Sequence, residues 1–271
     1  MARPNEEKNY NPASYIVSSV DRAAQLLLTL AEHPDSGVTE LADITKNTKS
    51  LTFRLLYTLE RRGLVRKDPE RRTYTLGYRA LLLGDQSRRQ SGLITTAEQV
   101  LSDLSGLTRE NALLLVREDL HSICISMCVS PHPLRIFAAV GRLGPLHAGG
   151  GSKVLLAHAP REIREAVISG ALETFTDISI SNAEALTSTL KAIRTDGYAV
   201  SIGEIDPNTF SIAAPVRDHS GNVIAALSVN GPTARLDDTI QKDTRTAVIS
   251  GADRLSRMLG WQGTVDMHRG W

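Results

Sequence analysis

Cysteine is nearly absent from the 271 residues: Cys124 and Cys128 are the two, both within the apolar run SICISMCV. So few thiols exclude a small secreted scaffold built on disulfides. Residues four apart in a strand share a face, so the pair could meet, although small core hydrophobes are the simpler reading. Aromatic residues make up only 4% against 41% apolar residues, so the cores must rest on Leu, Ile, Val and Ala. No apolar stretch reaches the roughly 18 residues that a membrane-spanning helix needs. The opening MARPNEEKNYNP is polar and lacks the apolar run of an export signal. These absences lead us to expect a cytoplasmic chain of one or two globular domains with reduced thiols.

Net charge is also scarce, at +1, but it is unevenly spread. Residues 1–90 carry 15 Lys and Arg against 11 Asp and Glu, whereas residues 91–271 carry 16 against 19. Within residues 54–89 the tally is 10 against 4. Cations concentrated over so short a stretch point to a local anionic partner.

The periodicities divide the chain. Residues 1–14 read as a disordered tail. Val20, Ala24, Leu27, Leu28 and Ala31 recur at helical steps, HPDSG breaks the pattern, and TELADIT forms a short second helix. KNTK is a tight connection, with Asn47 as the expected N-cap. A third helix from about Thr48 to Arg62 should bury Leu51, Leu55, Leu56 and Leu59, and Gly63 should end it. LVRKDPERRTYTL then reads as strand, turn and strand. Three helices and a two-stranded ribbon over residues 15–76 make a winged helix-turn-helix. Residues 77–92 form a linker helix.

From residue 93 to 260 strands and helices are mixed, which makes the whole an α+β chain, and residues 261–271 form a tail. The expected strands are NALLLVRE, HSICISMCV, LRIFAAVG, YAVSI, FSIAAPV and VIAALSVNG. The expected helices hold Ala97 to Leu104, VLLAHAP after the Gly-rich HAGGGSK, AEALTSTLKAIRTDG, and Asp238 to Leu259.

An α-helix fits the major groove, where hydroxyls, cations and apolar groups can read base edges. In a helix-turn-helix the start of the second helix does so, which singles out Lys49, Ser50, Thr52, Phe53 and Arg54, with Tyr57 one turn on. Arg66, Lys67, Arg71 and Arg72 flank the ribbon, where they can hold phosphate without reading sequence.

The residues from Val17 to Gly260 resemble the IclR-type bacterial transcriptional regulators. The likeness is carried by SVDRAAQLLLTLAEHP, VTELADIT and KSLTFRLLYTLERRGLVRKDPERRTYTLGYRALLLG, and further on by GRLGPLHAGGGSKVLLA, IRTDGYAVSIGEIDPNTFSIAAPVRDHSGNVIAALSVNGP and ADRLSRMLG. The resemblance implies a winged helix-turn-helix joined by a helix to a GAF-like α/β effector-binding domain. It implies dimers or tetramers on double-stranded operator DNA, commonly governing catabolic genes in response to a small organic, often aromatic, acid as effector, and we expect a repressor rather than an activator. It places the effector on Gly150, Gly151, Ser201, Ser211, Ser228 and Asn230, with Ile136, Gly144 and Thr209 as walls. Glycines there would expose N–H groups to a carboxylate, while hydroxyls and an amide fix its orientation. Ser201 stands where the family usually has an acid, Ser211 where it has a cysteine, and Asn230 where it has a second serine. NTKS replaces the usual Pro-containing entry to the third helix.

Other classes find little support. Ser152, His147 and Asp177 could make a hydrolase's nucleophile set, but no nucleophile elbow frames the serine. HAGGGSK lacks the spacing of a phosphate-binding loop. His121, His132, His147 and His158 are too dispersed to hold a metal, and no cofactor is implied. A purely architectural DNA-binding protein would not need so large a second domain.

Overall fold

A computed structural model describes residues 15–263. Residues 1–14 and 264–271, which hold the expected amino-terminal tail and most of the carboxy-terminal one, lie outside them. The chain divides between Gln90 and Ser91 into two compact units.

The first unit contains α1 (Ser18–Glu32), β1 (Ser36–Gly37), α2 (Val38–Ile44), α3 (Lys49–Arg61), β2 (Val65–Asp68), β3 (Thr73–Leu76) and α4 (Tyr78–Gln90). Its core joins Leu26, Leu30, Leu41, Leu56, Leu59, Val65 and Tyr74. Each fully buried leucine contributes about 1.5–3 kcal/mol. Thr48, not Asn47, caps α3, its hydroxyl accepting from Leu51 N at 3.3 Å. Asn47 is held away by Arg22, whose Nη1 donates to Asn47 Oδ1 at 2.5 Å. Gly63, at φ +69°, ends the helix in a Schellman turn: Leu64 N donates to Leu59 O and Gly63 N to Glu60 O. The ribbon β2–β3 runs antiparallel, and β1 adds a third strand that the sequence pattern does not reveal. Two residues are too few to show an alternation.

The second unit contains α5 (Gly92–Thr108), β4 (Asn111–Glu118), β5 (His121–Cys128), β6 (Leu143–Pro145), α6 (Gly150–Ala157), α7 (Arg161–Ser169), α8 (Ala183–Asp196), β7 (Ala199–Ile202), β8 (Thr209–Arg217), β9 (Val223–Pro232) and α9 (Asp238–Met258). Its sheet is antiparallel, in the order β6-β5-β4-β9-β8-β7. Helices α5 and α9 cover one face through Phe210, Ile212, Leu227 and Val229. Helices α6, α7 and α8 meet the other through Ala213 and Ala226.

LRIFAAVG does not form the expected strand; residues 131–142 carry no ladder, and only the short β6 follows on the sheet edge. Pro131 and Pro133 remove two backbone donors just upstream. The Asn111 side chain holds this segment instead, donating to Ile136 O at 3.1 Å and accepting from Ser130 N at 2.9 Å. Helix α6 begins four residues before VLLAHAP, inside the glycine run. A Cβ on Gly150 would lie 2.8 Å from Ser211 O, so glycine is what lets α6 pack directly on β8.

The cysteines do not share a face. Opposite Leu114 and Leu115, β5 presents Ser126 and Cys124, skipping Ile125. This bulge reverses the alternation, so Cys124 lines a cavity while Cys128 packs with the α5–α9 core.

Candidate functional site

Two places gather chemistry, one in each unit. On α3, Lys49, Ser50, Phe53, Arg54 and Tyr57 form one exposed face, with Phe53 49% and Tyr57 52% exposed. Thr52 is not on this face: it is fully buried, and its hydroxyl has no partner. The inward stripe of α3 is Thr52, Leu56 and Leu59, while Leu51 and Leu55 sit at its edge. The expectation that Thr52 reads bases is therefore corrected by a rotation of the helix about its axis.

At the ribbon, Asp68 Oδ1 accepts from Glu70 N at 2.9 Å and Arg71 N at 3.1 Å. The Arg71 N–H, chiefly, holds the Asp68 carboxyl below its ordinary range. This closed turn leaves Arg71 and Arg72 exposed at the tip. Arg66 lies over the Tyr78 ring and Lys67 over Tyr74, at 6.0 and 5.8 Å. Arg66 is exposed and Lys67 half-buried.

The second place is a cavity of about 790 Å³ between the sheet, the start of α6 and residues 131–142. Ile136, Gly144, Gly150, Gly151, Ser201, Thr209, Ser211, Ser228 and Asn230 all line it. Ser201, Ser211 and Asn230 stand in register across β7, β8 and β9. Ser211 Oγ and Ser228 Oγ are 3.1 Å apart, and both approach Asn230 Oδ1. Sequence reasoning missed Ser122, Cys124, Arg135, Arg142, Ser152 and Asp206, which line the same space. Ser122 and Ser152 meet at 2.7 Å across 30 residues of chain, a pairing no local pattern signals. Burial pushes the Cys124 thiol up to about 11, so it stays protonated and unreactive.

The Gly-rich turn is less open than its composition suggests. Glu204 occupies it, accepting from Gly149 N at 3.1 Å and pairing with the buried Lys153. Thr176 and Ser179 hold the Glu204 loop by its carbonyls. His147 is engaged with Glu173 O at 2.8 Å and stacks on Phe175. Ser152 is bonded to Ser122, so His147 and Ser152 each have another partner than the hydrolase reading requires. Among the described residues no group of three or more His, Cys, Asp or Glu could hold a metal, and no helix is long and apolar enough to cross a membrane.

A winged helix-turn-helix followed by a cavity-bearing α/β unit defines a DNA-binding regulator with its own sensing domain. The family described as IclR helix-turn-helix domain matches residues 19–69, and that described as Bacterial transcriptional regulator IclR C-terminal matches residues 86–257. The chain belongs to the IclR family of bacterial transcriptional regulators. It is similar to the HTH-type transcriptional regulator BhcR of Paracoccus denitrificans, with 33% identity over 89% of this chain and 86% of the relative. To the regulator KdgR of Escherichia coli the identity is 30%, over 90% and 94% of the two chains. Among solved structures, an IclR regulator from Alicyclobacillus acidocaldarius superposes with a TM-score of 0.84 at 28% identity, covering 91% of this chain and all (100%) of that one. An IclR homologue from Microbacterium hydrocarbonoxydans complexed with 4-hydroxybenzoate shares the fold, with a TM-score of 0.75 at 23% identity over 89% and 99% of the chains. The curated relatives are named as regulators of transcription, not as enzymes.

Proposed function

We propose that this regulator binds a pseudo-palindromic operator as a homo-oligomer in the cytoplasm, and releases it or changes its grip when a small organic acid enters the cavity. The observation that carries the reading is the exposed row Lys49, Ser50, Phe53, Arg54 and Tyr57 on the second helix of a helix-turn-helix. Arg54 and Lys49 are suited to base edges, and Phe53 and Tyr57 to thymine methyls. Arg66, Lys67, Arg71 and Arg72 secure the backbone. The cavity residues expected from the resemblance form the effector site. A protein of the same fold was solved with 4-hydroxybenzoate, which supports an acid, aromatic or otherwise. Repression is favoured because relatives include the Transcriptional repressor IclR of Escherichia coli.

A second copy of the chain covers α4. This helix buries none of its residues, and leaves Tyr78, Leu81 and Leu82 exposed at i, i+3 and i+4. A dimer would set two recognition helices about 34–36 Å apart, or a multiple of this, and an effector can act by changing that spacing. Footprinting on the DNA upstream of the protein's own coding sequence, with and without candidate acids, tests the whole reading. Protection that is salt-sensitive and altered by an acid is expected. No salt-sensitive affinity for any duplex would refute it.

A further inference from the structure

The outward face of α3 can be only as selective as its placement. A base edge is read through hydrogen bonds of defined direction, whereas phosphate contacts hold the duplex without reading sequence. What places α3 is the turn before it, residues 45–48, which holds neither glycine nor proline to set its path. Lys46 nevertheless stands at φ +52°, in the left-handed region that non-glycine residues seldom adopt. A backbone of that kind persists where its surroundings over-determine it.

Those surroundings meet at Asn47, which is half-buried. Its backbone N–H donates to Ala42 O at 3.0 Å, and its Nδ2 donates to Thr45 Oγ1 at 3.0 Å. The buried Thr45 hydroxyl donates in turn to Leu41 O at 2.6 Å. From the other side Arg22 Nη1, on α1, donates to Asn47 Oδ1 at 2.5 Å across 25 residues of chain. Arg22 is half-buried as well, and its Nε donates to Ser18 Oγ at 3.3 Å. The Asn47 amide therefore has its acceptor on a cation and its donor on a hydroxyl, and turning it over would set an NH₂ group against the guanidinium. This one side chain ties α1 and α2 together just ahead of Lys49. The other link between α1 and α3 is the apolar packing of Leu26 and Leu30 with Leu56 and Leu59. Apolar contact is non-directional and tolerates a small rotation, whereas a charge-assisted hydrogen bond holds a geometry.

We propose that Arg22 and Asn47 are positioning residues that fix the entry and rotation of α3, and so set how sharply this regulator discriminates among DNA sequences without reading a base themselves. This rests on the reading of the exposed α3 face as the base-reading surface.

The test uses the full-length protein and two duplexes: one recovered from a random pool by repeated selection on the wild type, and one of random sequence. Fluorescence anisotropy at several salt concentrations gives both affinities. Arg22→Met and Asn47→Leu should each lower the ratio of the two affinities by about tenfold, with random-duplex affinity and the salt slope unchanged. The double variant should lose no more than the worse single one, because both break the same bond. Arg22→Lys, which keeps the charge and a donor, should restore most of the ratio, and Asn47→Leu carries the test if Arg22→Met does not fold. The proposal is overturned if Asn47→Leu leaves the ratio unchanged, or if the double variant multiplies the two single losses. It is also overturned if Arg22→Met weakens both duplexes alike and reduces the salt slope by about 1, which would make Arg22 a phosphate contact. A wild type that binds both duplexes equally defeats the base-reading of α3 and this inference with it; a discriminating wild type with unaffected variants defeats this inference alone.

Discussion

The two units place their functional side chains in opposite ways. On α3 they point outwards from a convex surface, where Lys49, Arg54, Phe53 and Tyr57 are all in solvent. In the second unit they point inwards: Ser201, Ser211 and Ser228 are buried around a cavity. An outward site must hold a large polyanion by charge, so cations accumulate along one stretch of chain. An inward site selects a small molecule by donors and acceptors, and its residues come from β7, β8, β9, α6 and the segment after β5. Charge can therefore be read along the chain, whereas a donor–acceptor pattern exists only after the strands pair.

The contrast can be broken experimentally, beginning with stability. His158, at the end of α6, is half-buried with its Nε2 buried and unpartnered, and desolvation, then Arg217, Arg194 and Arg164, push its pKa down to about 3 from 6.5. The unfolded chain binds this proton first, so its contribution is present above about pH 6.5 and is lost as pH falls toward 3. The loss over that window is at most on the order of 5 kcal/mol. Urea melts of the second unit at several pH values should show a shallower pH slope for His158→Gln than for the wild type; equal slopes would remove His158 from the account.

Next in size, Ser211→Leu should lower effector affinity by about 100-fold or more, roughly 2.7 kcal/mol, while operator affinity without effector stays unchanged. A parallel loss in the DNA assay would mean that the cavity and α3 are not separable. Arg54→Ala should cost about 1–3 kcal/mol on operator DNA and relax discrimination, whereas Arg71→Ala should weaken all DNA alike and reduce the salt slope by about 1. Fluorescence anisotropy on operator and random duplexes at several salt concentrations distinguishes them; equal losses on both duplexes for Arg54→Ala would deny it base reading. Smallest of all, Thr52→Val should stabilise the first unit by about 1 kcal/mol, because it removes a buried, unpartnered hydroxyl. Its DNA affinity should not change. A loss of operator binding would return Thr52 to the interface.

The helices of the first unit were legible because apolar residues recur at helical steps and Gly63 stops the third one. The same pattern placed Thr52 on the wrong side, since a stripe of leucines fixes a helix's face only to within about one residue in 3.6. In the second unit the strands were readable as short apolar runs bounded by turn residues, as in FSIAAPV before RDHSGN. LRIFAAVG is likewise a short, largely apolar run, but forms no ladder once prolines and the Asn111 side chain dictate its path. The nine cavity residues came from a family likeness, and Arg142, Ser122 and Ser152 could not, because what joins them is a fold contact.

By itself the sequence determined a basic helix ahead of a wing, a mixed second domain and a glycine-rich turn, since each is written in neighbouring residues. Only the tertiary structure decided that a bulge at Ile125 sends Cys124 to the cavity and Cys128 to the core. It also decided that Glu204 fills the glycine turn and that Ser211, Ser228 and Asn230 share their protons. Register and donor direction depend on partners distant in the chain, and those exist only once it is folded.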